Sequence, residues 1–211
     1  MDYSSYLVSY TPVAEKLRQY GFICKDSVWV LECDLPFKDL FAKIHITTSE
    51  FDVRVIDRNF NDDFLPFNIK DGNSSVKAVV QNLIDEILLQ CFSNTKRDII
   101  AYCEHTFQTK HENPWQEFPE FCTFKTVRSK KWYALIMNLP GIKLGLKDCK
   151  IVDVINLKLP PEQIQILIDG KHYFPAYHMN KKYWMTVLLD KNVDMEQLKT
   201  LIRVSYNLVE K

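Results

Sequence analysis

Two neighbouring stretches of strict alternation constrain most tightly what this chain can fold into. Residues 42–47 read Ala-Lys-Ile-His-Ile-Thr and residues 51–55 read Phe-Asp-Val-Arg-Val, apolar at every second place. Successive side chains of an extended strand point to opposite faces, so each stretch predicts a strand with one buried and one wetted side. A sheet of that kind is antiparallel and needs a cover over its apolar face. Val76, Val79, Val80, Leu83, Ile84, Ile87, Leu88 and Cys91 recur at helical spacing and supply one. Upstream, residues 12–19 carry Val13 and Leu17 at helical spacing, with Gly21 as a stop, and residues 28–31 form a β-rich run. The first 92 residues therefore read as helix, three strands, helix, with 59–73 a polar loop marked by Pro66 and Asp71-Gly72.

Residues 96–109 open a second set of elements, a helix with Ile99, Ile100, Cys103 and Phe107 inward. A loop with Pro114, Trp115 and Pro119 follows, then strands at 121–127 and 132–138 joined through Arg128-Ser129-Lys130-Lys131. A third strand is predicted at 151–159, a short helix from Pro161, and a fourth strand at 183–190. The last helix runs from Asp194 to about Val209, with Asp194 and Gln197 as a capping box. The fold class is α+β: two small two-layer domains, each an antiparallel sheet packed against helices. Ser93-Asn94-Thr95 breaks the helical pattern, which sets the domains at residues 1–92 and 93–211.

Composition narrows the function classes. Five glycines in 211 residues leave no room for a Gly-rich phosphate cradle or a long flexible linker. Cys24, Cys33, Cys91, Cys103, Cys122 and Cys149 never fall at the two-residue gaps of zinc or redox motifs, and their apolar neighbours predict reduced, buried thiols. The start, Met1-Asp2-Tyr3-Ser4-Ser5-Tyr6, lacks the basic and apolar regions of a signal peptide, and no stretch approaches 18 apolar residues. A cytoplasmic protein without a membrane partner is expected. The chain carries no net charge, yet residues 1–92 hold nine Lys/Arg against fourteen Asp/Glu, and residues 93–211 hold eighteen against thirteen. An anionic partner would meet the second half.

The second half also carries a recognisable series: Ile155-Asn156-Leu157-Lys158, Pro161-Glu162, then Pro175-Ala176-Tyr177-His178-Met179-Asn180-Lys181-Lys182-Tyr183-Trp184, then Thr186-Val187 and Leu189-Asp190, closed by Ser205-Tyr206-Asn207-Leu208-Val209. In order and spacing this resembles the MmcQ/YjbR family of small bacterial proteins, whose fold is similar to that of the frataxin-like CyaY group. The resemblance covers residues 93–211 and departs from the family at Ala176, where glycine is usual. Pro175, Tyr177, His178, Met179, Asn180, Lys181, Trp184, Ser205 and Tyr206 are the residues that carry it. It implies a DNA-binding module built on two winged β-hairpins, an expectation that rests on fold analogy.

The residues fit that implication in one respect. Lys125, Arg128, Lys130 and Lys131 cluster at one turn beside Trp132, and Lys181 and Lys182 precede Tyr183 and Trp184. Cations next to aromatic rings can hold phosphates and stack on a base. Lysines at hairpin tips also guard sheet edges against aggregation, so the pattern has a purely structural reading as well. His172 and His178 have no partner at metal-ligand spacing, and His178 is expected to fix its loop by a hydrogen bond. Asp57, Asp62, Asp63 and Asp71 read as solvated loop acids. No nucleophile with a base, no metal signature and no cofactor are indicated. DNA is the first partner expected and a protein partner the second. A deep apolar pocket converging on His178 or Tyr177 would point to a small molecule instead.

Overall fold

The structure, a computed structural model, describes residues 1–69, 72, 74–147 and 149–210. The backbone divides into two compact units, Met1–Asn94 and Thr95–Lys211.

The first unit runs through a 3-10 helix (Ser4–Val8), β1 (Thr11–Pro12), α1 (Ala14–Tyr20), β2 (Ile23–Lys25), β3 (Val28–Asp34), β4 (Leu40–Ile46), β5 (Phe51–Asp57), β6 (Asp62–Asp63), α2 (Leu65–Asn68), α3 (Ser74–Cys91) and β7 (Phe92–Ser93). Strands β2 to β6 form an antiparallel meander, and β1 pairs with β7. The alternation of residues 42–46 and 51–55 sets the register: Ala42, Ile44 and Ile46 lie opposite Val55, Val53 and Phe51. All six are buried, against Val76, Val80, Ile84 and Ile87 of α3. Their polar neighbours line the other face, where Lys43 meets Glu32 at 2.9 Å and Arg54 meets Asp63 at 2.8 Å. Helix α1 ends at Gly21, whose φ of 116° lets its N–H reach the Leu17 and Arg18 carbonyls. The sheet has five strands where three were expected. The additional pair, β2 and β6, are short edge strands. Asp62 and Asp63, expected in a loop, belong to β6, and Asp71 lies outside the described residues.

The second unit comprises α4 (Thr95–Phe107), β8 (Cys122–Lys125), β9 (Trp132–Pro140), a 3-10 helix (Gly141–Leu144), β10 (Ile151–Lys158), α5 (Pro161–Leu167), β11 (Tyr173–Pro175), β12 (Trp184–Leu188) and α6 (Met195–Val209). Its sheet is antiparallel in the order β11-β12-β10-β9-β8. Helices α4 and α6 cover one face, packing Ile99, Cys103, Leu198, Leu201 and Ile202 on Phe124, Ile136, Ile155, Leu157 and Val187. The opposite face is apolar too. Leu135, Met137, Leu139, Val154, Phe174 and Leu188 are buried there under loops that bring Trp115, Phe121, Leu144, Tyr177 and Met179.

Both units are α+β, with antiparallel sheets packed against helices. Three local expectations are corrected. β11, a three-residue edge strand, lies in a stretch read as loop. The Asp194 carboxylate accepts from the N–H groups of Glu196 and Gln197, both at 3.0 Å, but the Gln197 carboxamide accepts from the Tyr173 hydroxyl at 2.7 Å and leaves the capping box half made. Of the six cysteines, all unpaired, Cys91, Cys103 and Cys122 are buried, Cys33 is half-buried, and Cys24 and Cys149 are exposed.

Candidate nucleic-acid interface

The turn between β8 and β9 is held from below. Thr126 N–H donates to the Lys131 carbonyl at 3.0 Å, and the Thr126 and Ser129 hydroxyls lie 2.7 Å apart. The Ser129 hydroxyl also donates to the Val209 carbonyl at the end of α6. The N–H groups of Arg128 and Ser129 donate to the Glu210 carboxylate at 3.2 and 3.4 Å. Burial works against ionisation of Glu210, but these N–H groups, the Thr126 hydroxyl and the Tyr206 hydroxyl hold its carboxyl below the usual range. The tip is thereby a fixed platform, with Lys130 in a left-handed conformation (φ 56°) and Arg128, Lys130 and Lys131 exposed. Lys125 is engaged, its ammonium 2.6 Å from Glu112.

The loop between β11 and β12, residues 176–183, hangs on two buried polar side chains. Tyr177 N–H donates to the Thr186 hydroxyl at 2.9 Å, and the Asn156 amide donates to the Tyr177 carbonyl at 3.2 Å. The Thr186 hydroxyl in turn donates to the Asn156 carboxamide oxygen. Further along, Asn180 closes a turn: its side-chain oxygen accepts from Lys182 N–H at 2.9 Å and its carbonyl from the N–H groups of Tyr183 and Trp184 at 3.0 and 2.9 Å. Lys181 and Lys182 are thus exposed on a defined turn, with the Lys182 ammonium 5.3 Å from the centre of the Tyr183 ring. His178 does not fix the loop as expected. Its exposed ring packs edge-on against Tyr177 at 4.0 Å, and the Tyr177 backbone makes the anchoring bonds.

Register brings the two turns together. Lys158 at the end of β10 lies opposite Trp184 at the start of β12, and Leu157 lies opposite Ala134, two residues into β9. A bulge at Phe124/Lys125 sets Lys125 against Trp132. Lys130 and Lys131, Lys158, and Lys181 and Lys182 therefore stand at one end of the sheet, in the turn before β9, at the end of β10 and in the turn before β12. None of these five lysines has an acidic partner within 4 Å among the described residues. Trp132 and Trp184 are half-buried beside them.

Pro175 ends β11, while Ser205 and Tyr206 lie on α6, Tyr206 close under the β8–β9 turn through Glu210. The Ser205 hydroxyl accepts from Lys158 N–H at 2.8 Å and donates to the Tyr133 carbonyl. Tyr206 stacks on Phe107 at 4.3 Å, and its hydroxyl reaches Glu210 at 3.2 Å. They shape the sheet end without facing it.

Trp132 also bounds a cleft of about 320 Å³ on the loop-covered face of the sheet. Leu135 and Met137 of β9 line it together with Trp115, Phe118 and Phe121 from the segment before β8 and His178 and Met179 from the loop before β12. The sequence places Asn156, Lys158 and Thr186 in the family series without giving them a role and does not single out Glu210. The apolar pocket that would point to a small molecule is met at His178 by this cleft, which is open at the exposed Phe118. A polar Asn156 inside the apolar run of β10 is the one sequence signal that marks a buried bond.

The YjbR family model matches residues 106–208. An uncharacterised Bacillus subtilis (strain 168) protein, YyaQ, is 34% identical over 116 residues, 55% of this chain and 98% of its own length. This chain belongs to the YjbR family. A second uncharacterised relative, YbdF of Escherichia coli O157:H7, is 34% identical over 98 residues, 45% of this chain and 69% of that protein. A crystal structure of a Pseudomonas syringae protein is 38% identical, spans 54% of this chain and 97% of its own, and superposes with a TM-score of 0.52. The YjbR match lies wholly within the second unit, from the last two residues of α4 onward, and the sheet, the basic turns and the cleft all lie in it. No helix among the described residues is long and apolar enough to cross a membrane.

Proposed function

We propose that the YjbR domain binds nucleic acid at the basic end of its sheet. One observation carries this reading: two lysine-bearing turns some 50 residues apart in sequence, with Lys158 between them, share one sheet end with Trp132 and Trp184. Five cations at one end of three adjacent strands suit a polyanion, and the tryptophans offer flat faces to bases. The clamped turns support the reading further. Glu210, Asn156, Thr186 and Asn180 fix the backbone under the cations, so little order has to be gained on binding. Residues 93–211 hold the chain's basic excess, eighteen Lys/Arg against thirteen Asp/Glu.

Fluorescence anisotropy with labelled duplex and single-stranded DNA tests the proposal, at low and at physiological salt. Each phosphate contact releases condensed counterions, so the affinity is expected to fall steeply as salt rises. A Lys130→Glu/Lys131→Glu variant, altering exposed tip residues only, is expected to lose binding. Absence of binding at low salt would end this reading.

A further inference from the structure

We infer that the aromatic cleft receives one unstacked base of a single strand whose phosphates lie on the lysines. This rests on the nucleic-acid reading and adds to it the form of the ligand and the place where a base is held.

The cleft is apolar yet open. Trp115 meets Trp132 edge-on at 5.7 Å and 70°, and Phe118 stacks on Phe121 at 4.9 Å, which leaves rings rather than polar atoms facing the space. Phe118 is 49% exposed, so this surface is not closed off within its own domain. Met179, which also lines the cleft, brings a polarizable thioether of the kind that packs well on aromatic faces. Such a site favours a flat, weakly polar group.

Charge identifies what that group is attached to. Trp132, which lines the cleft, directly follows Lys131, and the lysine-bearing sheet end begins there. An aromatic side chain of a neutral partner peptide would fill the cleft but make no use of the cations. A free nucleotide would use one of them. Strands stand about 4.8 Å apart, so the starts of β9 and β12, which the two lysine-bearing turns lead into, are separated by roughly 10 Å. A chain of phosphates spans that distance and a single phosphate group does not. A duplex keeps its bases stacked, whereas an unpaired strand can turn one into the cleft.

The test compares a short oligothymidine, an abasic phosphodiester strand of equal length, the same sequence as duplex, and thymidine monophosphate, all at low salt. The oligothymidine is expected to bind on the order of 10-fold to 100-fold more tightly than the abasic strand. It is also expected to quench tryptophan fluorescence, which the abasic strand leaves unchanged. Phe118→Ala and Met179→Ala, at positions that do not belong to the buried core, are expected to narrow that gap and spare abasic binding. Equal binding of both strands, lost in Lys130→Glu/Lys131→Glu, would overturn base capture while leaving the phosphate reading intact. Tighter binding of the duplex, or of the monophosphate, would overturn the single strand as occupant. No binding of any probe would overturn both readings together.

Discussion

The strand ladder between β9 and β10 stops at Ala134 and Leu157, one step short of the basic sheet end. There the Ser205 hydroxyl substitutes for the next rung, accepting from Lys158 N–H and donating to the Tyr133 carbonyl. Replacing Ser205 by alanine removes both bonds and adds no group that can replace them. Ser205 and Tyr133 are fully buried, so water cannot easily take over. An orphaned buried backbone group costs about 1–3 kcal/mol, and two such groups, with some relaxation, give about 2–4 kcal/mol. That is a large part of a domain's usual stability. The assay has to report on the YjbR domain alone, because two units need not unfold together. Three of the four tryptophans lie in it, so urea unfolding would be followed by fluorescence in a Trp29→Phe background. The urea midpoint is expected to fall by roughly 1–2 M with an unchanged slope. Hydrogen exchange at the Lys158 amide should accelerate in parallel. A loss below about 0.5 kcal/mol with Lys158 still protected would refute the reasoning, since the hydroxyl would then not be the rung.

Two further outcomes follow from the same contacts. Glu210→Gln removes the charge under the β8–β9 turn and should speed exchange of the Arg128 and Ser129 amides. In the unaltered protein the Glu210 carboxyl titrates below its unfolded value, so its contribution is complete above about pH 4.3 and is lost as pH falls through the lower folded value. A midpoint at or above the free-glutamate value, read from those amides by NMR, would count against the clamp. At pH 8 a disulfide reagent should react quickly with Cys24 and Cys149 only. Burial pushes the thiols of Cys103 to about 12 and of Cys91 and Cys122 to about 11 and withholds these three until unfolding, while it raises that of half-buried Cys33, which should react more slowly than the exposed pair. More than two fast thiols in the native protein would contradict that assignment.

What could be read from the sequence follows the range of the forces involved. β4 and β5 were legible because each of their residues declares its face by its own polarity. β2, β6 and β11 were not, because short edge strands owe their form to the neighbour that pairs with them. Ile23 of β2, for instance, is 64% exposed. Gln197 has the right type and spacing for a capping box, but a hydroxyl from Tyr173, 24 residues away, competes for it. The basic turns were visible as local clusters, whereas their meeting with Lys158 depends on a register that no single segment encodes. The cleft was hidden for a similar reason. Apolar residues on β9 and aromatic residues at 115–121 look like core in either arrangement, and only the helices' choice of the other face leaves them facing each other.

The residues of this sheet end divide by what they touch. Asn156, Thr186 and Ser205 are buried and spend their hydrogen bonds on backbone groups or on one another. Asn180, though exposed, folds back on its own turn. Such residues specify the shape of the sheet end and would do so whatever bound there. Lys130, Lys131, Lys181 and Lys182 touch no acidic group and stabilise little, since exposed lysines without partners contribute almost nothing to folding. A sheet end whose shape is fixed by buried groups and whose cations are idle in the fold separates stability from binding. Removing the lysines should therefore cost affinity without cost to folding, and removing Ser205 should do the reverse at positions that no ligand reaches.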